Sequence, residues 1–164
     1  MKYRILILFI IFSISGILYG QSDYDRVLDT LYSGTVELIA TDKLEKRYSE
    51  YVILDVRSKA EYNTSHLKGA IWVDYDKRSD WNKLKFSKSQ KLVVYCTVGY
   101  RSEKLGEYLK NRGFQSVENL YGGLIQWVNE GRPVFDLKGN QTEKVHTYNA
   151  LWGIWLKKGE KVYE

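Results

Sequence analysis

The sequence predicts an α/β domain built on a parallel sheet. Strand-like runs at 52–56, 92–95 and 116–120 alternate with segments whose apolar residues recur at helical spacing. Strands separated by helices are joined by crossovers and so lie parallel. The run Leu92, Val93, Val94, Tyr95 is apolar on both faces, as a strand covered from either side must be.

With 164 residues there is room for one domain with a proper core and little more. A hydrophobic content of 44% and a charged content of 27% are ordinary for a globular chain. The formal charge of +5 falls to +3 without Lys2 and Arg4, which lie in a segment expected to be removed. Basic residues are scattered and form no Lys/Arg-rich run, so no nucleic-acid partner is expected.

Taken in order, the chain opens with Lys2 and Arg4, an apolar stretch over 5–12, and small residues up to Gly20. This pattern describes a secretory signal peptide over residues 1–20, cut after Gly20. The apolar stretch is shorter than the ~20 residues of a membrane span, so the mature form is not expected to be membrane-embedded. Leu18 is large for the third position before the cut, which keeps an uncleaved membrane anchor as the alternative. No cysteine lies here to carry a lipid. Export, to a periplasm, follows.

Residues 21–34 should hold a helix over 23–32, with Tyr24, Val27, Leu28 and Leu31 on one face, packed on the outside of the domain. A short strand over 36–39 precedes Asp42, a candidate helix cap. Asp55 closes the next strand, and a carboxylate there fixes the following turn through backbone amides. Arg57 and Glu61 lie four apart, at helical ion-pair spacing, while Ser58 and Glu61 satisfy the capping box. His66 leads into a strand over 70–73, and residues 74–90 read as a helix and loop. The strand at 92–95 feeds Cys96, after which Leu105, Tyr108 and Leu109 mark a helix over 102–110 that Gly113 ends. A last strand over 116–120 turns at Gly122 and Gly123 into a helix carrying Trp127, stopped by Gly131 and Pro133. Residues 135–164 form a polar linker and a tail dense in Tyr148, Trp152 and Trp155, whose rings dock on the domain rather than stand exposed.

The chemistry centres on the one cysteine. Cys96 ends a strand just before a helix, where loop and first-turn N–H groups lack helical partners and favour negative charge. Such amides stabilise a thiolate, and Gly99 lets the loop curl so that several point inward. Arg101 adds a permanent cation able to hold an oxyanion with two hydrogen bonds. The competing reading is a buried structural cysteine, the commoner fate of a lone thiol. One cysteine cannot form an internal disulfide, so a thiol in an oxidising compartment suggests reactivity or an intermolecular partner. With two histidines, neither spaced as a ligand from the cysteine, there is no metal signal.

The loop Cys96, Thr97, Val98, Gly99, Tyr100, Arg101, Ser102 after a hydrophobic strand resembles the active-site loop of single-domain rhodaneses. Asp55-Val56-Arg57 with Glu61-Tyr62, then His66 to Ile71, and Gly122-Gly123 with Trp127 agree with that family in order and spacing. The resemblance implies a rhodanese-like domain over 35–134, a five-stranded parallel sheet with helices on both faces. It implies no cofactor and a sulfurtransferase in which Cys96 carries a persulfide, with 97–102 binding substrate and Asp55, Arg57, Glu61 and His66 in support. The donor would be thiosulfate, a persulfide or a polysulfide, and the acceptor a thiol, cyanide or a redox protein. Neutral Thr97 and Val98 stand where well-known thiosulfate enzymes of the family carry basic residues, which weakens thiosulfate as donor. Two alternatives stand: a non-catalytic binding or sulfur-carrier module, and a Cys-dependent phosphatase. The second needs five residues between cysteine and arginine, and here four separate Cys96 from Arg101.

Overall fold

Five parallel strands make the central sheet: β1 (Glu37–Ile39), β2 (Val52–Asp55), β3 (Ile71–Trp72), β4 (Lys91–Tyr95) and β5 (Ser116–Leu120), in the order β1-β5-β4-β2-β3. They belong to a computed structural model that describes residues 22–163. The expected signal peptide lies outside the described residues. Among the described residues, no helix is long and apolar enough to cross a membrane.

Side-chain alternation along β4 splits the core into two layers. Val93 and Tyr95 face a layer shared with α1 (Asp23–Leu31), α2 (Thr41–Lys46) and α5 (Gly123–Asn129). Leu92, Val94 and Cys96 face the other, built with Leu105 and Leu109 of α4 (Tyr100–Asn111). The chain leaves β2 through α3 (Lys59–Thr64) to β3 on one side and leaves β4 through α4 to β5 on the other. The connections diverge between β2 and β4, and such a switch point opens a crevice at the carboxyl ends of the strands. Register places Asp55 beside Tyr95 there.

Several expectations are corrected. Ala40, not Asp42, sits at the cap of α2, and the Asp42 carboxylate instead accepts Lys46 Nζ at 3.2 Å. The helix after Cys96 begins at Tyr100, two residues early, because Gly99 turns the chain at a φ of 100° that favours glycine. Residues 74–90 hold only a 3-10 turn, Arg78–Lys83, anchored by buried Trp81. The stretch read as a linker carries an antiparallel pair, β6 (Val134–Phe135) with β7 (Gln141–Thr142). Beyond it, β8 (Lys144–His146) and β9 (Glu160–Val162) pair in parallel around α6 (Ala150–Gly153).

Helix α1 turns one face inward and leaves Asp23, Arg26, Asp29 and Thr30 exposed on the other. Tyr24 and Leu28 are buried in the same layer as Val145 and Leu156 of the tail, and the Trp155 ring stacks on Tyr24 at 5.4 Å. The tail adds apolar cover to the inner face of α1.

Candidate active site

Cys96 lies at the carboxyl end of β4 with 1% of its surface exposed, and its Sγ accepts the Gly99 N–H at 3.1 Å. The loop is shaped from behind by two glycines. A Cβ on Gly99 would meet Tyr32 Oη at 2.4 Å, and one on Gly123 would meet the Cys96 carbonyl oxygen at 2.5 Å. Because Gly123 packs this closely, the first amides of α5 reach the loop: Leu124 N–H donates to the Cys96 carbonyl at 2.9 Å and Ile125 N–H to that of Thr97 at 3.2 Å. Gly99 also starts α4 without a side-chain cap, so no side chain satisfies the helix's first-turn amides there.

Arg101 is placed differently from expectation. Its guanidinium does not stand free for an oxyanion: Nη1 and Nη2 donate to Glu61 at 2.9 and 2.7 Å, and Nη2 also to Thr97 Oγ1 at 3.0 Å. Thr97 Oγ1 donates in turn to Glu61 Oε1 at 2.6 Å. Glu61 is fully buried, and a buried carboxylate needs a counter-charge and satisfied oxygens. Burial pushes its carboxyl up, but the Arg101 hydrogen bonds and charge, with Arg57 and Thr97, outweigh that and hold it down at about 2. The remaining oxygen capacity closes the capping box with Ser58 N–H at 2.8 Å.

The expected Arg57–Glu61 pair is therefore corrected. Arg57 precedes the cap Ser58, so helical spacing does not apply to it. It pairs instead with Asp55 through Nη2 at 2.7 Å and Nε at 3.0 Å, both residues fully buried. Asp55 Oδ1 accepts the Arg57 N–H at 3.0 Å, the turn-fixing role expected of it. Tyr95 donates its hydroxyl to Asp55 and accepts Leu67 N–H, which ties the ends of β2 and β4 together. His66 stacks on Tyr62 at 4.2 Å with Nδ1 3.0 Å from the Tyr62 carbonyl, and its backbone bridges Phe135. It is not among the residues that line the cavity above Cys96.

Two residues that hold the loop escaped sequence reasoning. Asn119 of β5 donates Nδ2 to the Gly99 carbonyl at 2.9 Å and accepts the Ser102 hydroxyl at 2.7 Å. An amide side chain set inside the strand run 116–120 was its available signal, and that side chain is fully buried. Tyr32, just past α1, donates to the Val98 carbonyl at 2.7 Å and accepts Gly122 N–H at 3.0 Å. Nothing local marks it.

A cavity of about 470 Å³ opens above the loop, with Cys96, Thr97, Val98 and Arg101 in its lining. Its far walls come from elsewhere: Leu31 from α1, Tyr75 and Asp76 from the loop after β3, and Tyr148 and Trp152 from the tail. Among the described residues, no cluster of three or more His, Cys, Asp and Glu suits a metal ion.

A parallel α/β domain with a cysteine at its switch point, under a glycine-shaped amide loop, defines the class. The Rhodanese-like domain family matches residues 40–130, and the chain belongs to that family. Among curated proteins it is 33% identical over 101 residues to the tRNA uridine(34) hydroxylase of Cytophaga hutchinsonii, covering 58% of this chain and 32% of that protein. The Streptococcus suis protein of the same name is 34% identical over 114 residues, 65% of this chain and 35% of its own length. This chain thus spans about a third of those relatives. Among solved structures, a rhodanese-related protein from Thermoplasma volcanium matches at a TM-score of 0.55 and 28% identity, covering 60% of this chain and 96% of that one. A rhodanese-like domain protein from Staphylococcus aureus matches at 0.52 and 32%, covering 58% and 94%.

Proposed function

We propose that the protein is a rhodanese-type sulfurtransferase whose Cys96 carries sulfur as a persulfide. The observation that carries this reading is the Gly99 N–H at 3.1 Å from Cys96 Sγ, at the end of a cavity that admits a donor. A backbone amide aimed at the sulfur is placed to donate equally to the terminal sulfur of a persulfide. The Cys96 thiolate attacks the outer sulfur of a sulfane donor, the donor's S–S bond breaks, and the leaving anion takes the bonding pair. The resulting Cys96–S–S⁻ passes its outer sulfur to a thiolate or cyanide, and the cysteine thiolate returns. No redox partner is consumed.

Against phosphatase chemistry stand the four-residue spacing and the commitment of the Arg101 fork to Glu61, since such a cup relies on its arginine. A non-catalytic carrier would load once and not turn over. A second reading comes from the relatives' name: the shared third of the hydroxylases could serve tRNA modification here too. Saturable tRNA binding at physiological salt would favour it.

The test is intact mass after incubation with inorganic polysulfide and with thiosulfate. Wild-type chain should gain one sulfur and lose it to cyanide over repeated cycles, and Cys96→Ser should gain none while melting as the parent does. A sulfur adduct on Cys96→Ser would remove the cysteine from the chemistry.

A further inference from the structure

The geometry points to a donor with an apolar or aromatic body: an organic sulfane-sulfur compound whose reactive end meets Cys96 while its body lies against Tyr148 and Trp152. The inference rests on the sulfur-transfer reading and names the substrate class of that site.

Three observations carry it. A cavity of about 470 Å³ has the size of sites that enclose organic ligands, far beyond a small inorganic anion. Its walls are largely apolar, with Leu31, Tyr75, Val98, Tyr148 and Trp152 around the sulfur. Charge in the lining does not suit a dianion, because Arg101 is neutralised by Glu61 and Asp76 adds a carboxylate. A monoanionic end beside the Gly99 amide with an uncharged body meets all three.

Much of the apolar wall comes from outside the family match. Leu31, Tyr148 and Trp152 lie outside residues 40–130, where the family match ends on either side. Tyr148 holds a φ of 71°, a left-handed conformation costly for a residue with a side chain, and is 54% exposed. Burial therefore does not explain its place. What the conformation achieves is a ring 5.0 Å from the Arg101 guanidinium, over the mouth of the site. Backbone strain of this kind clusters at active sites and ligand clamps.

Thiosulfonates supply the step in balanced form. The thiolate attacks the outer sulfur of R–SO₂–S⁻, the S–S bond breaks, and the sulfinate R–SO₂⁻ leaves with its electron pair. Benzenethiosulfonate and methanethiosulfonate share reactive group and charge and differ in the ring, so their ratio of kcat/KM, with cyanide as acceptor, reads the body of the donor. In the full chain the ratio should favour the benzene compound by about tenfold or more, the range an apolar contact supplies. Tyr148→Ala should cut the ratio about tenfold, and Tyr148→Phe should keep it. A ratio near that of the uncatalysed reactions, or one untouched by Tyr148→Ala, overturns the inference. If polysulfide loads Cys96 while the ring gives no advantage, the donor class fails and the sulfurtransferase stands. If no donor loads Cys96, both fall.

Discussion

Glu61 has no solvent contact, yet it carries the charge that organises the loop. Its carboxylate gathers the Arg101 fork, the Thr97 hydroxyl and the first amide of the α3 cap, so a single residue joins the active loop to the helix after β2. The consequence for pH follows from its sign. A carboxyl held at about 2 against an ordinary value near 4.5 stabilises the folded state fully above 4.5, and that stability is lost as pH falls toward 2. The loss should reach roughly 3 kcal/mol in urea melts across that window. Glu61→Gln should flatten this part of the profile; an unchanged profile would show that the pair contributes nothing. Arg101 is held in the same pair rather than standing free as the anion clamp its spacing suggested.

Among the elements, α1 and the start of α5 do most to set the Cys96 loop. The amides of Leu124 and Ile125 fix the carbonyls of Cys96 and Thr97, and Tyr32 bridges Val98, 66 residues on, to Gly122, 90 residues on. Tyr24 adds a hydrogen bond to the Gly122 carbonyl at 2.9 Å. Tyr32→Phe removes one donor and leaves the Gly122 N–H without its acceptor, so it should cost about 1–3 kcal/mol. It should also lower the rate of sulfur loading more than the donor concentration at half-saturation, because the loop, not the cavity wall, is loosened. A fall in stability with the loading rate unchanged would confine Tyr32 to folding.

In the whole molecule, residues before and after the family match form one body with it. Val145 and Leu156 are buried with Tyr24, Leu28 and Leu124, and Asn129 accepts the Lys157 N–H at 2.6 Å. Ending the chain at Glu143 would uncover that layer. Two fully buried side chains and the Trp155 ring should together be worth roughly 4–7 kcal/mol, and the truncated chain should unfold at far lower urea than the parent. A midpoint left where it was would make the tail a passenger. The same tail carries Tyr148 and Trp152, so stability and the shape of the cavity are coupled through one segment.

What could be read from the chain in advance is what neighbouring residues decide among themselves. The apolar run of β4, the Ser58–Glu61 capping box, the turn-fixing Asp55 and the placement of Cys96 between strand and helix all follow from spacing of a few residues. The partners of charged and polar groups do not. Glu61 had Arg57 four residues away and chose Arg101 forty residues on, because Arg57 lies before the helix begins and is claimed by Asp55. Tyr32, Asn119 and Tyr148 reach the loop only once distant segments are packed together. Backbone preference and hydrophobic period act locally and leave a trace in sequence, whereas a hydrogen bond across the fold is selected by which donor and acceptor close packing brings within 3 Å.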